Sequence, residues 1–102
     1  MPVDDRLKSP ATDELFRAIL QLDGVDECYA FFEDLCTINE IKAMAQRLAV
    51  AEKLDAGEHY TDIAAETGAS TATISRVKRC LYYGADGYRL VLNRLKKGRD
   101  KG

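Results

Sequence analysis

The stretch YTDIAAETGASTATISRVKR, residues 60–79, carries the strongest structural signal in this sequence. It places the small Ala64 four residues before Gly68, which is the spacing that a helix-turn-helix requires for a close helix crossing and a left-handed turn. Ser70 stands where it would cap the second helix. Apolar residues fall where the two helices would share a core: Ile63, Ile74 and Val77. Together these independent constraints predict a helix-turn-helix.

Helical spacing of apolar residues recurs on both sides of this motif, and no stretch alternates as a half-buried strand would. Ser9 is a candidate cap for the first helix. Thr37 and Glu40 form a capping box at the start of a long helix, and Gly57 follows its end. The sequence predicts an all-α fold of six helices, over residues 10–22, 25–35, 38–56, 61–67, 71–82 and 87–97.

The composition is that of a single globular domain of 102 residues, of which 46% are hydrophobic and 31% charged. No apolar run approaches the roughly 20 residues of a membrane span. Residues 1–10 also lack the apolar core of a signal peptide. We therefore expect a cytoplasmic protein with no membrane partner.

Charge is divided unevenly along the chain. Residues 1–58 carry 6 basic and 13 acidic side chains, whereas residues 59–102 carry 9 basic and 4 acidic ones. The positive second part has two interpretations, which are a solvated basic tail over residues 96–102 and a surface for an anionic polymer. The directions in which the basic side chains of residues 76–94 point decide between them.

Cysteine and histidine are too few and too scattered for a disulfide framework, a zinc site or acid–base catalysis. Cys28, Cys36 and Cys80 form no CxxC pair, and His59 is the one histidine. The sequence also has no nucleophile–base pair and no phosphate-binding loop. We therefore expect neither an enzyme nor a metal or cofactor site. Cys80 has two interpretations, a half-buried helix residue or a redox-sensitive thiol near basic side chains.

The second helix of the motif carries the chemistry of a DNA-reading surface. Small hydroxyl-bearing and apolar side chains let a helix approach base edges, and flanking cations hold phosphates. The candidate DNA-binding residues are Ser70, Thr71, Ala72, Thr73, Ser75, Arg76, Lys78 and Arg79, with no glutamate among them. The alternative is a helical protein-interaction or adaptor module whose helix-turn-helix is structural.

Residues 37–82, and more loosely residues 13–97, resemble the tryptophan repressor superfamily. The segment GASTATISRVKRCLYYGADGY (68–88) is most similar to its YerC/YecD branch. The resemblance implies a six-helix Trp-repressor-like fold in an intertwined homodimer, which binds double-stranded DNA specifically and regulates transcription. We expect a repressor, with an activator as the alternative. It divides the single domain, residues 1–102, into an N-terminal arm (1–9), dimerisation helices (10–58), the helix-turn-helix (60–82), a C-terminal dimerisation helix (87–97) and a basic tail (98–102).

The resemblance also implies a ligand pocket, because two arginines of the tryptophan repressor clamp the indole ring of its ligand. Arg47 and Arg76 match these arginines, and Thr37 matches a threonine at the start of the long helix. Arg47 has a second interpretation, an ordinary ion pair with Asp34 or Glu40.

Two substitutions within this pocket argue against L-tryptophan as the corepressor. Val77 stands where the ligand-binding relatives have a glycine, and Cys80 replaces a serine near the ligand's amino group. A β-branched side chain in a helix is nearly confined to one rotamer, so Val77 cannot swing aside. We therefore expect no cofactor and constitutive DNA binding, with the alternative that a different small-molecule effector, which the sequence does not name, occupies the site.

Overall fold

The computed structural model describes the backbone of residues 3–101 and the side chains of residues 3–99. Over these residues a short 3-10 helix, Asp5–Leu7, precedes six α-helices, and there is no strand. The helices are α1 (Pro10–Ile19), α2 (Val25–Leu35), α3 (Ile38–Asp55), α4 (Tyr60–Thr67), α5 (Thr71–Tyr83) and α6 (Gly87–Lys101). The predicted all-α fold of six helices is therefore confirmed. Residues 1–2 of the predicted arm and residue 102 of the predicted tail lie outside the described residues.

Two helix ends differ from the sequence prediction by three or more residues, and the others agree to within one residue. Helix α1 ends at Ile19 because the chain tightens there into shorter turns, in which the Gln21 amide donates to the Ala18 carbonyl and the Leu22 amide to that of Ile19. Helix α6 continues past residue 97 to Lys101. A glycine inside a helix costs only about 1 kcal/mol, so Gly98 does not end it.

The predicted caps form as hydrogen bonds. The Ser9 hydroxyl accepts from the Thr12 amide at 3.0 Å at the start of α1. At the start of α3, the Glu40 amide donates to Thr37 Oγ1 at 3.1 Å and the Thr37 amide donates to Glu40 Oε1 at 2.8 Å. These bonds satisfy amides that the first turn of a helix leaves without a partner.

The chain divides into two compact units, an N-terminal unit that ends at Lys42 and a C-terminal unit that begins at Ala43. None of the described residues of the N-terminal unit is buried. Its apolar side chains stay exposed, among them Phe16, Leu20, Val25, Tyr29, Leu35 and Ile38. A groove of about 290 Å³ is lined by Val25, Cys28, Tyr29, Phe32 and Ile41.

The C-terminal unit has a buried core, to which α3, α4, α5 and α6 all contribute. Helix α5 packs against both α4 and α6. The buried residues are Val50, Ala51, Leu54, Ile63, Ala69, Ile74, Val77, Leu81 and Leu92. Each large apolar side chain that is fully buried stabilises the fold by about 1.5–3 kcal/mol, so this core fixes the position of α5.

Candidate nucleic-acid interface

The turn between α4 and α5 has the geometry that the sequence predicts. Gly68 adopts the left-handed conformation, with φ +74° and ψ +6°. Its amide donates to the Ala64 carbonyl at 2.9 Å, which closes α4. The Thr67 hydroxyl donates to the Ile63 carbonyl at 2.6 Å and accepts from the Ala69 amide at 3.2 Å. The predicted helix-turn-helix is therefore formed by α4 and α5.

A side chain of α3 also holds this turn in place. Gln46 Nε2 donates to the Thr67 carbonyl at 3.2 Å. The bond occupies one of the carbonyls that the last turn of α4 leaves without a helical partner. The sequence analysis did not identify Gln46, because the two residues are 21 positions apart and no local pattern joins them.

The two sides of α5 differ in chemistry. Ile74, Val77 and Leu81 point into the core, and each is at most 1% exposed. At 100° per residue the opposite side of the helix carries residues 72, 75, 76 and 79. These four side chains, Ala72, Ser75, Arg76 and Arg79, are exposed. The exposed side of α5 therefore presents two small side chains and two guanidinium groups.

Ser70 and Thr73 are both used in capping α5. The Ser70 hydroxyl accepts from the Thr73 amide at 3.1 Å and donates to the Thr73 hydroxyl, also at 3.1 Å. Thr73 is half-buried, whereas Thr71 is exposed. Among the candidate DNA-binding residues, Thr71 is thus the threonine whose hydroxyl is open to a base edge.

Two tyrosines orient basic side chains beside α5. The Lys78 ammonium lies over the Tyr60 ring, 5.4 Å from its centroid. The Arg89 guanidinium of α6 lies over the Tyr82 ring at 5.1 Å. Such cation–π contacts are worth about 0.5–1 kcal/mol at exposed sites and restrict the freedom of the cation. The sequence analysis named neither tyrosine for this role, because the contacts join different helices.

No acidic residue occurs between Glu66 and Asp86, so α5 itself carries only positive charge. Glu66 forms an ion pair with Lys53 of α3. The hydrogen bond from Lys53 lowers the pKa of Glu66, and the same bond raises the pKa of Lys53. The negative charge nearest to the start of the turn is thereby compensated within the C-terminal unit.

The residues predicted to form a ligand pocket do not all lie at one site in the structure. A cavity of about 490 Å³ is lined by Leu48, Cys80, Gly84, Ala85, Gly87, Tyr88 and Val91. Burial raises the pKa of the Tyr88 phenol, and the nearby charges of Arg47 and Arg76 oppose this effect. Cys80 and Tyr88 therefore line one cavity, and Arg47 and Arg76 lie close enough to act on the pKa of Tyr88, which the sequence analysis did not assign to the pocket.

The other two pocket residues have structural roles. The Val77 side chain belongs to the core. Thr37 caps α3 within the N-terminal unit. Among the described residues of the C-terminal unit, Arg47 forms no ion pair with a carboxylate.

The described residues contain neither a membrane-spanning helix nor a metal-binding cluster. No helix there is both long and apolar enough to cross a membrane. No group of three or more His, Cys, Asp or Glu side chains is arranged to hold a metal ion in that part of the chain.

Comparison with known proteins identifies the family. The model of the Trp repressor protein family matches residues 11–96. The uncharacterized protein YerC of Bacillus subtilis (strain 168) is 58% identical over 93 residues, which cover 91% of this chain and 89% of YerC.

Solved structures give the same result. A TrpR-like protein from Eubacterium eligens ATCC 27750 superimposes with a TM-score of 0.89 at 56% identity, covering 91% of this chain and 96% of that one. A Trp repressor candidate from Staphylococcus aureus gives 0.87 at 53% identity, covering 90% and 92%. The chain therefore belongs to the Trp repressor family, a family of DNA-binding regulators.

Proposed function

We propose that the protein is a sequence-specific, DNA-binding transcriptional regulator that acts as a homodimeric repressor. The observation that carries this proposal is the exposed side of α5, where Ala72, Ser75, Arg76 and Arg79 point away from the core. Small side chains allow close approach to the major groove, and arginines bind guanine edges or phosphates. The absence of acidic residues from α5 supports the same assignment. A DNA-binding role is consistent with the expected cytoplasmic location.

The exposed apolar surface of the N-terminal unit supports the homodimer. Leu20 is 79% exposed, Tyr29 71% and Val25 70%. Val25 and Tyr29 also line one groove, and exposed apolar patches are typical of interfaces between proteins. A second copy of the chain would cover it and would bring two copies of α5 to one duplex. Two such helices, related by a two-fold axis, read half-sites about 34 Å apart, one turn of DNA.

The surroundings of Tyr88 support the proposal that no L-tryptophan is needed. The Val77 side chain is buried in the core, so it has no exposed surface that a ligand could contact. The Tyr88 phenol lies within range of the charges of Arg47 and Arg76, so an aromatic side chain of the protein itself lies near both arginines. We expect calorimetry with millimolar L-tryptophan to give no binding isotherm, and DNA affinity to be the same with and without it. An isotherm accompanied by tighter operator binding would overturn this part of the proposal.

A gel-shift series tests the main proposal. Genomic DNA fragments are titrated with the protein at several salt concentrations, with one fragment of scrambled sequence as the control. A regulator binds a subset of fragments tightly, and the logarithm of its binding constant falls linearly with the logarithm of the salt concentration. Weak, salt-insensitive association with every fragment would instead favour the adaptor function, in which the helix-turn-helix is structural.

A further inference from the structure

Three basic side chains of α6 are paired with carboxylates of α3. Lys96 Nζ lies 2.6 Å from Asp55 Oδ2, and Arg89 Nη1 lies 4.0 Å from Asp55 Oδ1. One turn earlier on α3, Glu52 Oε2 lies 3.3 Å from Arg99 Nη2. Three cations of α6 are thus paired with two carboxylates, an arrangement that we call the α3–α6 ion-pair lattice.

Asp55 is the centre of this lattice. Its side chain is only 19% exposed, whereas those of Lys96 and Arg89 are 57% and 43% exposed. An ion pair of this kind contributes little to stability when its partners are exposed, but it cancels much of the field that the cations would otherwise project. Arg89 also stacks on Tyr82 of α5, so the lattice extends to the edge of the DNA-binding helix.

We propose that the α3–α6 ion-pair lattice withholds Arg89, Lys96 and Arg99 from nucleic acid, with Asp55 competing with DNA phosphates for these cations. This inference rests on the proposed function. It excludes these three cations from the polyanion-binding surface and assigns Asp55 a role in limiting non-specific binding. The positive charge of the C-terminal half then contributes less to DNA affinity than its count of basic residues indicates.

The test compares Asp55→Asn with Glu33→Gln. Both variants remove one negative charge, but Glu33 is exposed on α2 and takes part in none of the ion pairs found among the described residues. Releasing two cations to phosphates steepens the salt dependence of non-specific binding by up to about two units of slope. Asp55→Asn is then expected to lose about tenfold more affinity than Glu33→Gln between 50 and 200 mM salt. Equal slopes for the two variants would overturn the inference.

A double-mutant cycle separates the lattice from a simple change of net charge. In the otherwise unchanged protein, Lys96→Gln is expected to have no effect on the salt slope. In the Asp55→Asn background, the same substitution is expected to reduce the salt slope by about one unit. An equal reduction in both backgrounds would show that Lys96 is available to DNA and would refute the proposal. Circular dichroism and thermal unfolding of each variant verify that α6 remains folded.

Elution from heparin, a polyanion that needs no operator sequence, keeps this inference distinguishable from the proposed function. Asp55→Asn is expected to elute at higher salt than Glu33→Gln even if no genomic fragment is bound specifically. Failure of every gel shift would refute sequence-specific DNA binding alone. Coincident elution of the two variants would refute the lattice alone.

Discussion

At the scale of the residue, Gly68 occupies the most constrained position of the helix-turn-helix. A Cβ atom built on it would meet only Gln46 Nε2, at 4.0 Å, so space for a side chain is available. The constraint is the backbone, since φ of +74° is strained for any residue with a Cβ atom. The turn thus depends on the conformational freedom of glycine and not on its small size.

Gly68→Ala is expected to lower the free energy of unfolding by about 1–2 kcal/mol, because alanine pays the cost of the left-handed conformation. Urea unfolding followed by circular dichroism measures this change at one fixed protein concentration. The matched control is Gly98→Ala, which lies within α6 with nothing within 4 Å of its Cβ position. That substitution is expected to be neutral or to stabilise by up to about 1 kcal/mol. A neutral Gly68→Ala would contradict this account of the turn.

Three exposed residues of α5 are expected to contribute to DNA binding in two different ways, through sequence preference or through general affinity. Thr71→Ala removes a hydroxyl at the start of the helix and is expected to reduce the preference for the operator, with little effect on salt dependence. Arg79→Gln is expected to weaken binding to all sequences and to reduce the salt slope by about one unit. We expect the same two effects from Lys78→Gln. Fluorescence anisotropy with operator and scrambled duplexes separates the two effects. If Arg79→Gln left the salt slope unchanged, Arg79 would not face the phosphates.

At the scale of the element, the start of α3 is stabilised by a charge-dependent cap. The Thr37 amide donates to the Glu40 carboxylate, and this hydrogen bond lowers the pKa of Glu40 below its ordinary value. A carboxyl whose pKa is lower in the folded state stabilises the fold fully above its unfolded-state pKa, about 4.3 for glutamate. The contribution is lost as the pH falls through the pKa of the folded state.

The Glu40→Gln variant tests this cap, since glutamine keeps an oxygen acceptor but does not titrate. We expect the stability of the unchanged protein to fall more steeply than that of Glu40→Gln between about pH 5 and pH 3. Denaturant unfolding at pH 7, 5, 4 and 3 measures both profiles. Thr37→Ala, which removes the other half of the box, is expected to cost about 1 kcal/mol at pH 7. Parallel pH profiles for the unchanged protein and Glu40→Gln would show that the carboxylate charge is irrelevant to the cap.

At the scale of the whole molecule, the N-terminal unit has apolar helices but no buried residue among those described. We expect a stable dimer at a concentration of about 1 µM, because an obligate interface of this kind removes large apolar side chains from water. Sedimentation equilibrium measures the assembly state. A folded monomer at that concentration would refute the homodimer.

Val25→Asp is expected to weaken the dimer, since it places a charge in the apolar groove that Tyr29 and Phe32 also line. Leu7→Asp is the matched control. Leu7 is 63% exposed and lies in the N-terminal arm, outside the proposed dimerisation helices. If both variants dissociated equally, the dimer interface would lie outside the groove.

The sequence by itself determined the elements whose causes are local. The caps at Ser9, Thr37 and Ser70 and the left-handed Gly68 depend on contacts within four residues, so their patterns were sufficient to locate the helices. Because 3.6-residue periodicity fixes which residues share a helix face, the buried side of α5 could be predicted as well. The motif and family resemblance added the expectation of DNA binding.

Only the tertiary structure decided how side chains from distant parts of the chain meet. The Gln46 bond to Thr67, the contact of Lys78 with Tyr60 and the pairing of Asp55 with Lys96 join residues on different helices. No periodicity within one helix encodes such contacts, because they depend on how the shared core sets the distance and rotation between helices. For the same reason the sequence indicated only the number of basic residues in α6. The structure shows that three of them form ion pairs with carboxylates of α3.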